Sequence, residues 1–502
     1  MATKSNRRSF LKNSATSLAA LGGVGRLAEF NVAQAKGSSS NQATSESLMR
    51  LIESTPRYKI APVIVDQLRK GLTRDDLLEA LFLTTTRISA GHNLWVHHSV
   101  AELSSRVARE DRLLPLFWHI DLIKAIRTET AAPILEDSQL PNPTKAASLF
   151  QDAVRAMDQD AASAAIIAIA RSKGPKTAFR HLWSPAAGSR LLRSSGHTVI
   201  RVANTWRSME RVGWHYAERP LYRYARVAST RKILPKDDLH LVNARRATQH
   251  GKLPGDWMNQ RSDAGAVVDL HAMFREGNAA DACDSIFEQL RAGKLSTGSI
   301  WDAVFLSTNE LSARFTLGGP GGRPRHSITA SNALHFMYRT WTDPETRLFT
   351  LLQTVGMICS FVDTVRREGL LNDFDITKIA EAESPASAED AVAEIFSLLP
   401  PRRFEARFRD ISGQHKAMEL TYAMAQKHSD QAFLRTAQKL LCLKNGIDAH
   451  HLKFSIAALE NYQHVSPKWR PNFLAASVFV LQGTQMEDNH AVAQAREALR
   501  SL

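Results

Sequence analysis

From Leu48 onward, apolar residues recur every three or four positions with few interruptions. "PETRLFTLLQTVGMICSFVDTV" and "SAEDAVAEIFSLL" (Ser387–Leu399) both carry this spacing, which places a buried stripe on one side of a helix. Five-residue alternating patterns are scarce, and no turn signal joins two of them into a hairpin. Only an all-α fold suits this pattern, with helices paired as helical hairpins. "TRDDLLEALFLTTTRI" opens on Thr73 as N-cap with acids in its first turn, and Ser387 opens its helix in the same way. Breaks fall at Leu140–Pro143, Lys173–Pro175, Leu234–Asp238, His250–Gly255, Leu317–Arg325 and Leu399–Arg402. None is long enough for an interdomain linker, so residues 48–502 are predicted to form one large multi-helix domain. A division near residues 234–262 is the alternative.

The N-terminus has a different character. Asn6-Arg7-Arg8-Ser9-Phe10-Leu11-Lys12 precedes a weakly apolar stretch, and Ala33-Gln34-Ala35 ends it. This resembles a bacterial twin-arginine export signal followed by an A-x-A cleavage site, with Asn6 where that signal usually has Ser or Thr. The resemblance implies a signal peptide over residues 1–35, the twin-arginine export machinery as a partner, and a periplasmic or secreted destination. Residues 36–47, "KGSSSNQATSES", read as a disordered linker. No run of eighteen apolar residues occurs, so no transmembrane span is expected. The formal charge of +14 is spread along the chain without a nucleic-acid motif, and nucleic acid is not an expected partner. Cys283, Cys359 and Cys442 lie far apart in apolar surroundings, as buried thiols do.

Chemistry centres on the eighteen histidines. Several helices open on a turn residue and a histidine and then run into small and apolar residues: "AGHNLWVHHSVAEL", "SGHTVIRVANTW", "RHSITASNALHFM", "GQHKAMELTYAM" and "DAHHLKFSIAAL". Such first turns could aim histidines at a common point. A buried imidazole needs hydrogen-bond partners or a metal. His92 and His97 lie about 140° apart on a helix and cannot closely share a face. One of His97 and His98 is the candidate from that helix, and periodicity does not choose between them. His197, His326 and His450 are the others. His119 reads as a satisfied core histidine. His415 and Glu419, at i,i+4, share a face and form either a metal-ligating or a salt-linked pair. Lys453 stands one turn beyond His450, where a protonated amine would repel a metal. HExxH, GxSxG, CxxCH and a phosphate-binding Gly-Lys-Ser/Thr loop are all absent.

Three stretches resemble the questin oxidase-like family: His92-Asn93-Leu94-Trp95-Val96-His97-His98, Arg325-His326-Ser327-Ile328-Thr329-Ala330, and His450-His451-Leu452-Lys453-Phe454. The resemblance implies a mostly helical protein that uses dioxygen to oxidise a quinone-like or aromatic small molecule. It also implies a mononuclear non-haem iron(II) ion held by four histidines and a carboxylated lysine. By position these would be His97 (or His98), His197, His326, His450 and Lys453. Export and the His415/Glu419 pair depart from that family, so substrate identity does not carry over. Imidazole ligands accept several metals, and zinc, with hydrolytic chemistry, is the alternative. Lys453 has two readings: a stem snorkelling to water, or a desolvated neutral amine that takes up carbon dioxide. A non-enzymatic helical scaffold is the remaining alternative.

Overall fold

The structure, a computed structural model, describes residues 39–88, 91–125, 131–188, 191, 194–230, 238–315, 323–380, 382–383, 386–400, 412–446 and 448–500. The export signal expected over residues 1–35 lies outside these. Within the described residues the chain forms helices α1 (Ser39–Ser54), α2 (Ile60–Arg69), α3 (Arg74–Ile88) and α4 (His92–Arg106). It continues through α5 (Leu114–Ala125), α6 (Ala146–Ala156), α7 (Gln159–Lys173), α8 (Pro175–Ala187) and α9 (His197–Val212). Next come α10 (Glu218–Ala228), α11 (Leu239–Ala247), α12 (Ala264–Glu276), α13 (Ala279–Arg291), α14 (Thr297–Arg314) and α15 (Arg323–Thr340). The last are α16 (Pro344–Arg367), α17 (Ala388–Leu398), α18 (Ser412–Lys427), α19 (Gln431–Lys444), α20 (Ala449–Tyr462), α21 (Arg470–Ser477) and α22 (His490–Leu499). No strand occurs among the described residues, which leave only an isolated bridge between Phe315 and Leu371. The fold is all-α.

Local chemistry starts these helices where the sequence suggests. Thr73 and Asp76 cap α3 reciprocally, with Asp76 N donating to Thr73 Oγ1 at 3.1 Å and Thr73 N to Asp76 Oδ2 at 3.0 Å. Ser387 Oγ accepts from Asp390 N at 3.0 Å at the start of α17. The expected linker over residues 36–47 is different: from Ser39 onward it belongs to α1, which packs on α3 and buries Ser45. Burial of Leu48, Met49 and Ile52 rewards extending that helix backward through a polar stretch. The residues from Ser39 to the C-terminus form one compact unit, without division near 234–262. There α11 and α13 both pack on α16. By length and composition α16 could cross a membrane, but 78% of its apolar window is buried inside the protein, as in a core helix.

Four helices form the centre. Helix α4 packs on α9, α9 on α15, α15 on α20, and α20 on α4, closing a ring. Their residues from Asn93 to Ser104 on α4, and most of α20, are buried on all sides, which explains their weak amphipathic pattern. Further along each helix, His98, Arg207, Asn332 and Glu460 join in one hydrogen-bonded layer. The first turns of the same four helices also meet, as shown below, so all four run in the same direction. Parallel neighbours cannot be joined by short turns. Helices α5–α8, α10–α14 and α16–α19 carry the chain back each time, and pairs such as α6/α7 and α17/α18 supply the expected hairpins. Helix dipoles therefore add: four positive ends lie together at one mouth of the ring and four negative ends at the other.

Candidate metal centre

The positive mouth gathers one histidine from each ring helix. His92 is the first residue of α4 and His197 the first of α9. His326 lies in the first turn of α15, and His450 follows Ala449 at the start of α20. One ring nitrogen from each of the four lies within 4.8 Å of the others, so the group can hold a metal ion. Donors on one transition metal, each about 2.0–2.1 Å from it, stand roughly 3–4 Å apart, so closure needs shifts of about 1 Å.

Backbone features bring the rings this close. Gly196 caps α9 at φ 77°, and a Cβ there would lie 2.5 Å from the Ala330 Cβ of α15. Its absence lets the first turn of α9 lie against α15, with the His197 and His326 ring centroids 4.4 Å apart. Asn204 Nδ2 donates to Trp95 O at 3.1 Å and fixes α9 against α4. Trp118 Nε1 donates to Gly446 O at 2.9 Å and anchors the approach to α20.

Outer hydrogen bonds orient two of the imidazoles. His450 Nδ1 donates to Asp448 Oδ1 at 2.8 Å. His197 Nδ1 donates to Ser194 O at 2.5 Å. Each leaves Nε2 with its lone pair, as metal-ligating histidines require. The Nε2 atoms of His197 and His92 are 3.2 Å apart. Burial pushes His197 down to about 4, with the bond to Ser194 opposing and the Lys453 charge adding to the shift. Burial also holds His92 far below the ordinary histidine value, helped by the charges of Lys453 and the other imidazoles. These rings are neutral donors at neutral pH.

Lys453 does not snorkel. It is 1% exposed, and its Nζ has no hydrogen-bond partner among the described residues. The amine lies 5.4 Å from the Trp95 ring centroid. Burial lowers its pKa to about 7, with Asp448 opposing and Arg201 adding to the shift. Trp95 and Phe454 lie against the imidazoles: the Trp95 ring is tilted 57° to His92 with centroids 4.8 Å apart, and Phe454 meets His326 edge-on with centroids 5.2 Å apart.

His97, the ligand expected from α4, lies elsewhere. Its Nε2 donates to Leu78 O at 2.9 Å and its Nδ1 meets Ser208 Oγ at 3.0 Å, so it is a satisfied core histidine. The histidine that α4 brings to the converging group is His92, five residues earlier and on a different face. His98, the alternative, bonds Glu460 Oε1 at 2.9 Å in the second layer. His119 is a core histidine as expected, donating to Asn93 O at 3.1 Å. His415 lies between the rings of Phe374 and Phe479, and neither it nor Glu419 belongs to a converging ligand group among the described residues.

Two other groups have ligand-like spacing: His98, Glu102 and Glu460, and His271, Glu310 and Asp375. Arginines occupy their glutamates, and Lys378 pairs with Asp375. Arg106 and Arg211 hold Glu102, and Arg207 holds Glu460. Arg275 and Ile376 N hold Glu310, while His271 bonds Glu310 Oε2 at 2.8 Å. Guanidinium groups so close oppose a cation, which leaves the four-histidine group as the best-suited metal site among the described residues. No family model matches the chain, and neither a curated protein nor a solved structure does.

Proposed function

We propose that the four-histidine centre holds one divalent transition metal, iron(II) in first place, and that the protein is an exported oxidoreductase using dioxygen on an aromatic or quinone-like small molecule. One observation carries the reading: four imidazoles from four helices converge beside a buried lysine amine without a hydrogen-bond partner. His92, His197, His326 and His450 are the ligands. Lys453 is the fifth, as a carbamate whose oxygen adds the negative charge that imidazoles lack. Iron in such a site supplies a coordination position for dioxygen or a substrate oxygen.

The remaining work falls to the chain. Asp448 and Ser194 O hold the Nδ1 protons of His450 and His197, fixing ring orientation. Trp95 and Phe454 exclude water from the inner side and give an aromatic ligand an apolar contact. The resemblance to questin oxidase-like proteins supports oxygen chemistry and iron, and the twin-arginine motif supports export of the folded protein.

The test is elemental analysis of protein matured with its N-terminus intact, joined to oxygen uptake over a panel of hydroxylated anthraquinones and simpler phenols. One iron per chain and substrate-dependent uptake are expected. One zinc per chain with ester hydrolysis would replace the oxidase by a hydrolase. No stoichiometric metal would end both readings.

A further inference from the structure

The two mouths of the parallel ring are charged differently. At the negative mouth the last turns carry Arg106, Arg211 and Arg339. Glu102 there pairs with Arg106 and Arg211, Glu460 pairs with Arg207, and Arg339 donates to the His464 ring. Cations, carboxylates and four negative dipole ends offset one another around a cavity of about 370 Å³.

At the positive mouth nothing comparable occurs. Four positive dipole ends meet there, together with the side chains of Arg201 and Lys453. Arg201 stands one turn inside α9 from His197, with its guanidinium carbon 4.6 Å from the Trp95 centroid and 5.9 Å from that of Tyr224. Its Nε is buried, and among the described residues it has neither a hydrogen bond nor a carboxylate partner. Lys453, on the same indole, is equally unpaired. The carboxylate whose charge reaches Lys453 is Asp448; its Oδ1 accepts from His450 N and Nδ1, and its buried Oδ2 has no hydrogen-bond partner among the described residues and forms no ion pair with Arg201 or Lys453. A divalent metal would deepen this positive excess. Arg201 as built lacks a paired anion.

We propose that Arg201 is the positioning residue for the anion that the metal-centre reading already places there, the carbamate on Lys453. The inference rests on the carbamate part of the metal-centre reading and adds the residue that makes it stable in an apolar interior. The amine lone pair of Lys453 attacks the carbon of carbon dioxide. An N–C bond forms, one C–O π pair moves onto oxygen, and the nitrogen releases one proton to solvent. No electrons are transferred. The product carries one negative charge, which the Arg201 guanidinium and the four dipole ends stabilise. Tyr224 and Trp95 hold Arg201 in place without neutralising it.

The experiment uses metal-free full-length protein in ¹³C-labelled bicarbonate, read by ¹³C NMR. One carbamate carbon per chain is expected for the unaltered protein and none for Lys453→Met. Arg201→Met should need about tenfold more carbon dioxide for half occupancy, the size of shift a lost opposite charge produces. Arg201→Lys, which keeps the charge, should recover most of it. That recovery separates a charge role from packing, and circular dichroism confirms that both variants fold. Arg201→Met filling at the original carbon dioxide level would overturn the proposal, as would an unaltered protein that takes up none. A chain that binds one metal without any carbamate removes this inference and keeps the metal centre. Carbamate that depends on Arg201 in a chain that binds no metal does the reverse.

Discussion

Asp448 Oδ1 accepts two hydrogen bonds from one residue: His450 N at 2.9 Å and His450 Nδ1 at 2.8 Å. The same oxygen caps α20 and orients one of the four converging imidazoles, so the start of the helix and the aim of that ring are a single feature. Replacing it by alanine should therefore show two losses. Stability should fall by about 1 kcal/mol from the missing cap. Metal affinity should fall about 10–100-fold from the missing outer partner. Asp448→Asn keeps a capping oxygen but loses the charge, so it should recover most of the stability and little of the affinity. Denaturant unfolding and metal titration on the two variants check this.

Gly196 is a second point where backbone and site coincide. A Cβ there would lie 2.5 Å from the Ala330 Cβ, at a φ of 77° that L-residues rarely adopt. Left-handed strain alone costs roughly 1–2 kcal/mol, and the clash must also push α9 from α15. Gly196→Ala should lower thermal stability and reduce metal occupancy together, because His197 is the next residue. Ala330→Gly should restore part of the occupancy in the double variant by removing the opposing methyl. Paired melting curves and metal analyses give the coupling.

His92 and His97 show what a sequence can and cannot reveal here. Helical spacing separates them by face, and that separation is real: one joins the four-histidine group, the other faces the Leu78–Ser208 side. Choosing between them by burial favours His97, because a buried imidazole suits a core partner as well as a metal. The informative signal is position in the helix. Like His197 and His450, His92 opens its helix beside a capping residue, and His326 also lies in a first turn. Three of the four converging histidines and Lys453 are legible from such local grammar. The closed parallel ring is not, because it depends on which distant helices pair, and neither is Arg201, whose importance lies in partners it lacks.

Substitution separates the two roles. His92→Ala should abolish stoichiometric metal binding with little change in the unfolding of metal-free protein. His97→Ala should cost about 1–3 kcal/mol, because Leu78 O and Ser208 lose a buried partner, while leaving one metal per chain. Equal metal loss in both variants would contradict the assignment of His97 to the core.

The buried core histidines also set how the fold responds to acid. His97 is pushed down to about 3, by burial first and then by neighbouring His119, with the bond to Leu78 O opposing. His119 is pushed down to about 4 by burial, against its bond to Asn93 O. An unfolded histidine titrates near 6.5, so below that pH the unfolded chain binds protons that the folded chain refuses. Stability contributed by these neutral rings is complete above about 6.5 and is lost progressively as pH falls toward 4 and then 3. Each pH unit of difference is worth about 1.4 kcal/mol per group, so the two together should remove several kcal/mol over this range. Denaturant midpoints measured in chelator between pH 7 and 4.5 should fall steadily for the unaltered protein. His97→Asn should start less stable at pH 7 yet lose less over the same interval, since one proton-refusing ring is gone. A parallel decline in both proteins would place the acid sensitivity elsewhere than in the His97 core site.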